Sequence, residues 1–595
     1  MTNFLPVNKK EMNALGWEQP DFVLVTGDAY VDHPSFGTAI ISRVLESRGY
    51  RVAVLAQPDW KSADDFRRFG RPKLGFLING GNVDSMVNNF SVFKNRRKRD
   101  SYSPGGKSGR RPDRAVIVYS NRAREAYRDV PVIIGGLEAS LRRLGHYDYW
   151  DDKVRRSILL DSKADILIYG MGERAVVEIA EALESGLEAR DITWIKGTCV
   201  RMKEADDAVL LPAFAEIAEN KDAYNRSFAL QYRSNDSING RRLAEEYEDG
   251  LFVVQNPPQP PLTRMEMDDI YALPYMRSWH PSYDKEGGVP AIQEVRFSIT
   301  SNRGCFGGCS FCAITYHQGR EVRSRSIESC VREAQLITED PEFKGYIHDV
   351  GGPTANFRNP SCSKQMEHGM CGGKDCLFPK PCSQLETDHS DYISLLKAVR
   401  NVKGVKKVFV RSGIRYDYML ADWKKGRKGS SGEAFLNQLC EHHISGILKV
   451  APEHVSGKVL RYMHKPGVEI FDRFTEEYAK ANGKLGKKQY MIPYFISSHP
   501  GSTLDDAIEL ALYMKETGFV PDQVQDFYPT PGTLSTCIYY TEKDPFTGKP
   551  VYVPKTIKEK KMQRALLHFN KKENRKLVIE ALETAGRKDL ISVLK

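Results

Sequence analysis

No run of about 18 apolar residues occurs in the sequence, so no membrane-spanning helix is expected. The opening residues, MTNFLPVNKKEMNALGW, lack the apolar stretch of a secretory signal, which points to the cytoplasm. A large excess of one charge is also missing. The 87 basic residues stand against 77 acidic ones, leaving a net charge of +10. That balance permits an anionic partner without requiring one. No internal repeat is evident. Cysteine is sparse and uneven: of 11 cysteines, three fall in Cys305–Cys312, four in Cys362–Cys382 and four stand alone. In a reducing compartment such clusters suggest metal ligands rather than disulfides. What remains is an ordinary soluble composition, with 41% hydrophobic and 28% charged residues. At roughly 150 residues per domain the chain makes three or four domains, each large enough to bury a core unaided.

Residues 1–200 read as a doubly wound α/β domain. Strands are expected at Phe22–Thr26, Val52–Ala56, Leu74–Asn79, Ala115–Tyr119, Val132–Ile134 and Ile166–Tyr169, with a helix from Phe36 to Gly49. The pair Gly135-Gly136 after a strand suits a ligand-facing loop of a parallel sheet, or simply a tight turn. Residues 93–114 contain KNRRKR and SPGGKSGRRPDR and read as a mobile, solvated loop. Nucleic-acid contact is possible there but unsupported, because few aromatics are interleaved. Residues 201–290, with the proline-rich NPPQPPL, read as a linker or wrapping segment. Residues 291–530 alternate strand and helix again, as in an open or closed parallel β/α barrel, with a cysteine-rich insertion at 358–385. Strands are expected at Val295–Thr300, Tyr346–Asp349, Lys407–Arg411, Gly446–Val450 and Tyr490–Ser497, and helices at Ser326–Ile337, Ser390–Arg400 and Thr503–Thr517. Residues 531–595 form a charged C-terminal extension of helical rhythm.

The segment Ser301–Glu321 reads SNRGCFGGCSFCAITYHQGRE. Its C-x3-C-x2-C spacing places Cys305, Cys309 and Cys312 where they can hold three corners of a [4Fe–4S] cluster. Ordinary clusters use four cysteines. Three leave one iron open, and an open position is what makes a metal site catalytic. Gly304, Gly307 and Gly308 let the backbone curl around a bulky inorganic core. A zinc site completed by His317 or a further cysteine is the alternative on the same residues.

This loop, with Phe311 before its last cysteine, resembles the radical S-adenosylmethionine (SAM) superfamily. Three later segments are similar to that family's barrel. Asp349–Phe357 (DVGGPTANF) looks like the glycine-rich strand end whose backbone, here Gly351 and Gly352, binds the methionine amino group. Pro353 stands where the family often has Glu. Leu448–Lys465 (LKVAPEHVSGKVLRYMHK) resembles the strand and loop approaching the ribose and carboxylate, with Glu453 as the polar candidate. Tyr490–Thr503 and Tyr528–Thr533 resemble the late strands. The whole chain looks closest to the YgiQ-type radical proteins. The resemblance implies a cobalamin-binding-like N-terminal domain, a radical SAM partial β/α barrel over 291–530 and a helical C-terminal extension. It also implies Phe311 beside the cluster or the adenine. The cobalamin motif Asp-x-His-x-x-Gly is matched only in part by VDHPSFG, which has His33 but Val31 and Phe36 at the Asp and Gly positions. Cobalamin is therefore not expected.

Cys362, Cys371, Cys376 and Cys382 form a second set with spacing C-x8-C-x4-C-x5-C. Glycines and prolines sit among them, as in a loop folded around metal. A structural zinc, a second iron–sulfur cluster and four reduced thiols all fit. Arg411, Ser412, Arg415, Asp417, Tyr418, Asp526 and Tyr528 follow strands and are candidates to face the barrel mouth. The expected function is reductive cleavage of SAM to a 5′-deoxyadenosyl radical that acts on an unidentified substrate. A donor such as a flavodoxin or ferredoxin would supply the electron. The rival readings are a zinc-containing RNA-binding protein and an iron–sulfur electron carrier without SAM chemistry.

Overall fold

A computed structural model describes residues 3–423, 429–519, 521 and 524–594. It divides into two compact units, Met1–Arg296 with Tyr316–Gly319, and Phe297–Thr315 with Arg320–Lys595. No helix among the described residues is long and apolar enough to cross a membrane.

The first unit is built on a nine-stranded sheet. Its strands are β1 (Phe22–Thr26), β2 (Val52–Ala56), β3 (Gly75–Asn79), β4 (Val132–Gly135), β5 (Ile166–Ile168), β6 (Thr198–Met202), β7 (Val209–Leu210), β8 (Leu243–Tyr247) and β9 (Leu251–Gln255), in the order β7-β8-β9-β6-β5-β4-β3-β1-β2. The five strands β2-β1-β3-β4-β5 are all parallel. Their β-branched, apolar runs are buried on both faces, as parallel strands covered by helices must be. Val23 and Val25 face one core, and Phe22 and Leu24 the other. In that strand order the topology reverses between β1 and β3, where open α/β sheets place ligands.

Three expectations for this unit are corrected. Ala115–Tyr119 is not a strand but the start of the helix Ala115–Ala126. Its N-terminal N–H groups are satisfied by distant partners. Glu138 Oε1 accepts from Val116 N at 3.0 Å, and Ser85 Oγ accepts from Ala115 N at 3.1 Å. A locally strand-like sequence is thereby held helical by tertiary contacts. Residues 93–114 are not a free loop, because Arg111 is wholly buried. It pairs with Asp28 at 2.7 Å and Asp100 at 3.3 Å, and donates to the Gly80 carbonyl at 2.7 Å. Residues 201–290 are more than a linker. They supply the helix Lys221–Arg233 and strands β7, β8 and β9, with β9 pairing antiparallel to β6.

The second unit strings parallel strands in chain order. They are β10 (Ser298–Thr300), β11 (Tyr346–Ile347), β12 (Asp349–Gly351), β13 (Lys407–Val408), β14 (Ile447–Glu453), β15 (Tyr490–Ser497) and β16 (Gln525–Asp526). β10 pairs β12, β11 pairs β13, β14 pairs β15 and β15 pairs β16, every pair parallel. β13 and β14 are not paired; the segment after β13 is tied to the one before β14 by Val410 N donating to His443 O at 3.1 Å. Helices Ile327–Thr338, Ser390–Arg400 and Val468–Lys484 bury Ile337, Leu395 and Phe471 against the strands. This is the open β/α barrel expected from the sequence. Helices Ile557–Leu567 and Arg575–Thr584 share a separate apolar core with Leu504–Thr517.

Candidate functional site

Because the barrel strands are parallel, their C-terminal ends lie on one side, and the loops that follow them carry most of the expected site residues. The cysteine loop follows β10. Gly304, at φ +79°, turns the chain where a Cβ would overlap the Glu321 carbonyl. Cys312 N donates to Cys309 O at 3.1 Å, closing the loop. Cys305, Cys309 and Cys312 are half-buried free thiols. Burial pushes Cys305 up, and pushes Cys312 up to about 12 with help from the other two thiols. The backbone N–H groups of Ile314 and Thr315 oppose the shift at Cys312.

Two side chains reach the sulfurs. Thr354 Oγ1 lies 3.4 Å from Cys305 Sγ. Arg415 Nη1 donates to Cys309 Sγ at 3.4 Å and to the Gly307 carbonyl at 3.3 Å. Arg415 is itself gripped by Asp417, through Nε at 2.8 Å and Nη2 at 2.6 Å. The buried ion pair thus aims a fixed positive charge at the thiols. Among the described residues, no three His, Cys, Asp or Glu side chains converge as ligands of one metal ion. Three thiols on one short loop with a buried cation beside them are a donor set that suits an iron–sulfur cluster.

The remaining candidates surround the same strand ends. Gly351 closes β12, where a Cβ would meet Ser412 Oγ at 2.6 Å, and a Cβ on Gly352 would overlap the Asn302 carbonyl. Asp349 fixes the adjoining loop by accepting from Arg411 N at 2.7 Å and Ser412 N at 3.1 Å, and burial raises its carboxyl. Glu453 ends β14 just past a register shift, with a left-handed φ of +71°. A non-glycine residue held there is strained, and such strain gathers at functional sites. Burial raises Glu453 while Lys465 and Arg415 oppose it, so its carboxyl shares the field of the cation that faces Cys309.

Phe311 packs edge-on against His499, with ring centroids 6.0 Å apart. Neither His499 nor Thr354 was singled out in the sequence, although both lie within segments that were. His499 Nε2 is 2.7 Å from Ser535 Oγ, which is 2.8 Å from Ser310 Oγ. Burial, with His454 and His464 nearby, drops His499 to about 3, so it is neutral at physiological pH. The available signal was a histidine two residues past the end of the strand Tyr490–Ser497.

Cys362, Cys371, Cys376 and Cys382 all line one cavity of about 40 Å³. They do not converge on a single point.

The first unit holds its own cavity, about 140 Å³, at the C-terminal ends of β3, β4 and β5. Asn79, Gly135, Gly136, Gly170 and Glu173 line it, so the Gly135-Gly136 pair faces a cavity. His33 is not among the lining residues. It is fully buried beside Phe36, and its Nδ1 accepts from Ser35 N at 3.1 Å.

Residues 4–298 match the family model "Radical SAM N-terminal", and residues 522–595 match "Domain of unknown function (DUF3362)". A UPF0313 protein from Clostridium perfringens (strain SM101 / Type A) is 55% identical over 99% of this chain and 88% of its own length. The chain belongs to the UPF0313 family of radical S-adenosylmethionine proteins. A second family member, from Clostridium botulinum (strain 657 / Type Ba4), is 55% identical over 99% of this chain and 91% of its own. Two solved structures are similar at low identity. The radical SAM methyltransferase TsrM from Kitasatospora setae, with cobalamin and a [4Fe-4S] cluster bound, has a TM-score of 0.48 at 14% identity, over 88% of this chain and 76% of that one. The cobalamin-dependent SAM radical enzyme OxsB, with aqua-cobalamin bound, has a TM-score of 0.48 at 12% identity, over 90% of this chain and 57% of that one.

Proposed function

We propose that this protein is an enzyme that cleaves SAM reductively at a cluster held by Cys305, Cys309 and Cys312. The observation carrying this reading is the cysteine loop with its charged support: three thiols on one short turn, faced by Arg415 and Thr354 at the ends of parallel strands. A [4Fe–4S] cluster held there would supply the one electron that splits the sulfonium into methionine and a 5′-deoxyadenosyl radical.

The chain's own residues have separable tasks in this reading. The three thiolates would hold the cluster, three protein ligands where an ordinary cluster has four. Arg415 offsets the negative charge of the thiolates and lets them approach one another. Gly351 and Gly352 keep the end of β12 free of side chains, so the ligand can come within hydrogen-bonding distance of the backbone. Glu453 offers a carboxylate to the ribose or the amino group. The half-buried Phe311, braced edge-on by the buried His499, would shield the reacting carbon from water. The radical then removes a hydrogen atom from a separate substrate. A reduced flavodoxin or ferredoxin is the proposed electron source. His33 does not line the cavity of the first unit, and no step is assigned to that cavity.

The test is spectroscopic. Anaerobically reconstituted, dithionite-reduced protein should give a [4Fe–4S]⁺ resonance that shifts when SAM is added. An unchanged signal would support simple electron transfer, and protein carrying zinc but no iron would support the nucleic-acid reading.

A further inference from the structure

The second set of cysteines is not used by this function. Cys362, Cys371, Cys376 and Cys382 come from three separate stretches of the insertion, yet all four line the same cavity. The loop is closed by Cys382 N donating to Cys376 O at 2.9 Å and Glu386 N donating to Ser361 O at 2.8 Å. Arg320 and Lys374 line the same walls, placing positive charge beside the thiols. Four thiols lining one cavity, with cationic side chains beside them, supply the four cysteine ligands that an ordinary [4Fe–4S] cluster uses.

The insertion also lies against the first cysteine loop. Phe306, the residue after Cys305, lines this cavity and stacks on Phe357 with centroids 3.8 Å apart. Cys305 and Cys376 both pack against the apolar cluster formed by these two rings, Leu377 and Tyr418. Asp375, beside Cys376, is held by Arg320 at 3.1 Å and His464 at 2.8 Å. A Cβ on Gly308 would come within 3.2 Å of the Asp375 carboxylate. That close approach gives Gly308, at φ +67°, a second reason to be glycine.

We propose that Cys362, Cys371, Cys376 and Cys382 bind a second [4Fe–4S] cluster, fully ligated by protein and separated from the first by the Phe306 wall. Each thiol loses a proton as it binds its iron. The resulting cluster carries a net charge of −2 in its oxidised form, which Arg320 and Lys374 offset. With no open iron it does not bind SAM. This proposal stands apart from the cleavage reaction assigned to the first cluster.

The test uses the full chain, reconstituted anaerobically with iron and sulfide, with metal content and Mössbauer and electron paramagnetic resonance spectra recorded. Three proteins are compared: the parent, a Cys305→Ala/Cys309→Ala/Cys312→Ala variant and a Cys362→Ala/Cys371→Ala/Cys376→Ala/Cys382→Ala variant. The parent should hold about eight irons per chain and each variant about four. In the first variant the remaining signal should be insensitive to SAM, and no nucleoside should form. In the doubly reduced parent the two signals should broaden each other, because the two sites share one apolar cluster. Should the second variant fail to fold, the first variant decides alone. A first variant without iron, or with one zinc instead, overturns the proposal. A first variant that keeps four irons while the parent fails to cleave SAM would sink the proposed function and leave the second cluster standing.

Discussion

Arg415 donates to the Sγ of Cys309 at 3.4 Å while Asp417 holds its other nitrogens at 2.8 and 2.6 Å. All three belong to one charged unit, buried at the mouth of the barrel. Removing only the cation strands a carboxylate in a dry site. Arg415→Met should therefore cost about 3–5 kcal/mol of stability, read by urea denaturation. The paired change Arg415→Met/Asp417→Leu should recover most of that loss. Neither variant should recover the cluster potential, which should fall in a redox titration because a positive charge near the irons favours the reduced state. Activity should drop about 10–100-fold, as for other groups that support metal ligands.

Gly352→Ala tests the backbone contact. Its Cβ would overlap the Asn302 carbonyl, so the end of β12 must move away from the cysteine loop. Iron content should stay at the parent value. SAM affinity, measured by calorimetry on the oxidised protein, should fall at least tenfold, equivalent to about 1.4 kcal/mol.

Glu453→Gly should act in opposite directions on stability and on binding. Glycine relieves the left-handed φ of +71° and removes a buried carboxylate, so thermal stability should rise, with about 1 kcal/mol expected from the backbone alone. SAM binding should weaken in the same protein. A variant that loses both would mark Glu453 as structural.

As with Asp28, whose carboxyl burial also raises, part of the pH dependence of the first unit should be traceable to Glu245. It is fully buried, accepts from Gly145 N at 2.8 Å and is raised by burial from 4.5 to about 7. A carboxyl with a raised folded pKa contributes stability below its unfolded value and loses it as pH rises through the folded one. The parent should thus lose about 3 kcal/mol from this group between about pH 4.5 and 7. Glu245→Gln should flatten that part of the profile when unfolding free energies are compared at pH 5 and pH 8.

Much of this arrangement was legible in the sequence. The strand Tyr490–Ser497 and the helix Ser390–Arg400 have the expected bounds, because apolar period and turn residues agree at both ends. Ala115–Tyr119 was not legible. Its β-branched run argues for a strand, and the groups that hold it helical, Ser85 and Glu138, lie about 30 and 22 residues away. Arg111 misled for a similar reason: a basic, glycine-rich stretch looks solvated until Asp28 and Asp100 are placed beside it. At the candidate site the cysteines are visible as spacing. Thr354 and His499 are not, since their meaning depends on which strand ends become neighbours.

The most direct measurement is the nucleoside itself. Anaerobic, reconstituted and reduced protein is incubated with SAM, and the products are separated by chromatography. The parent should release 5′-deoxyadenosine and methionine, and the Cys305→Ala/Cys309→Ala/Cys312→Ala variant neither. A parent protein that carries a full complement of iron at this loop, yet leaves SAM intact under strong reductant, would contradict the account.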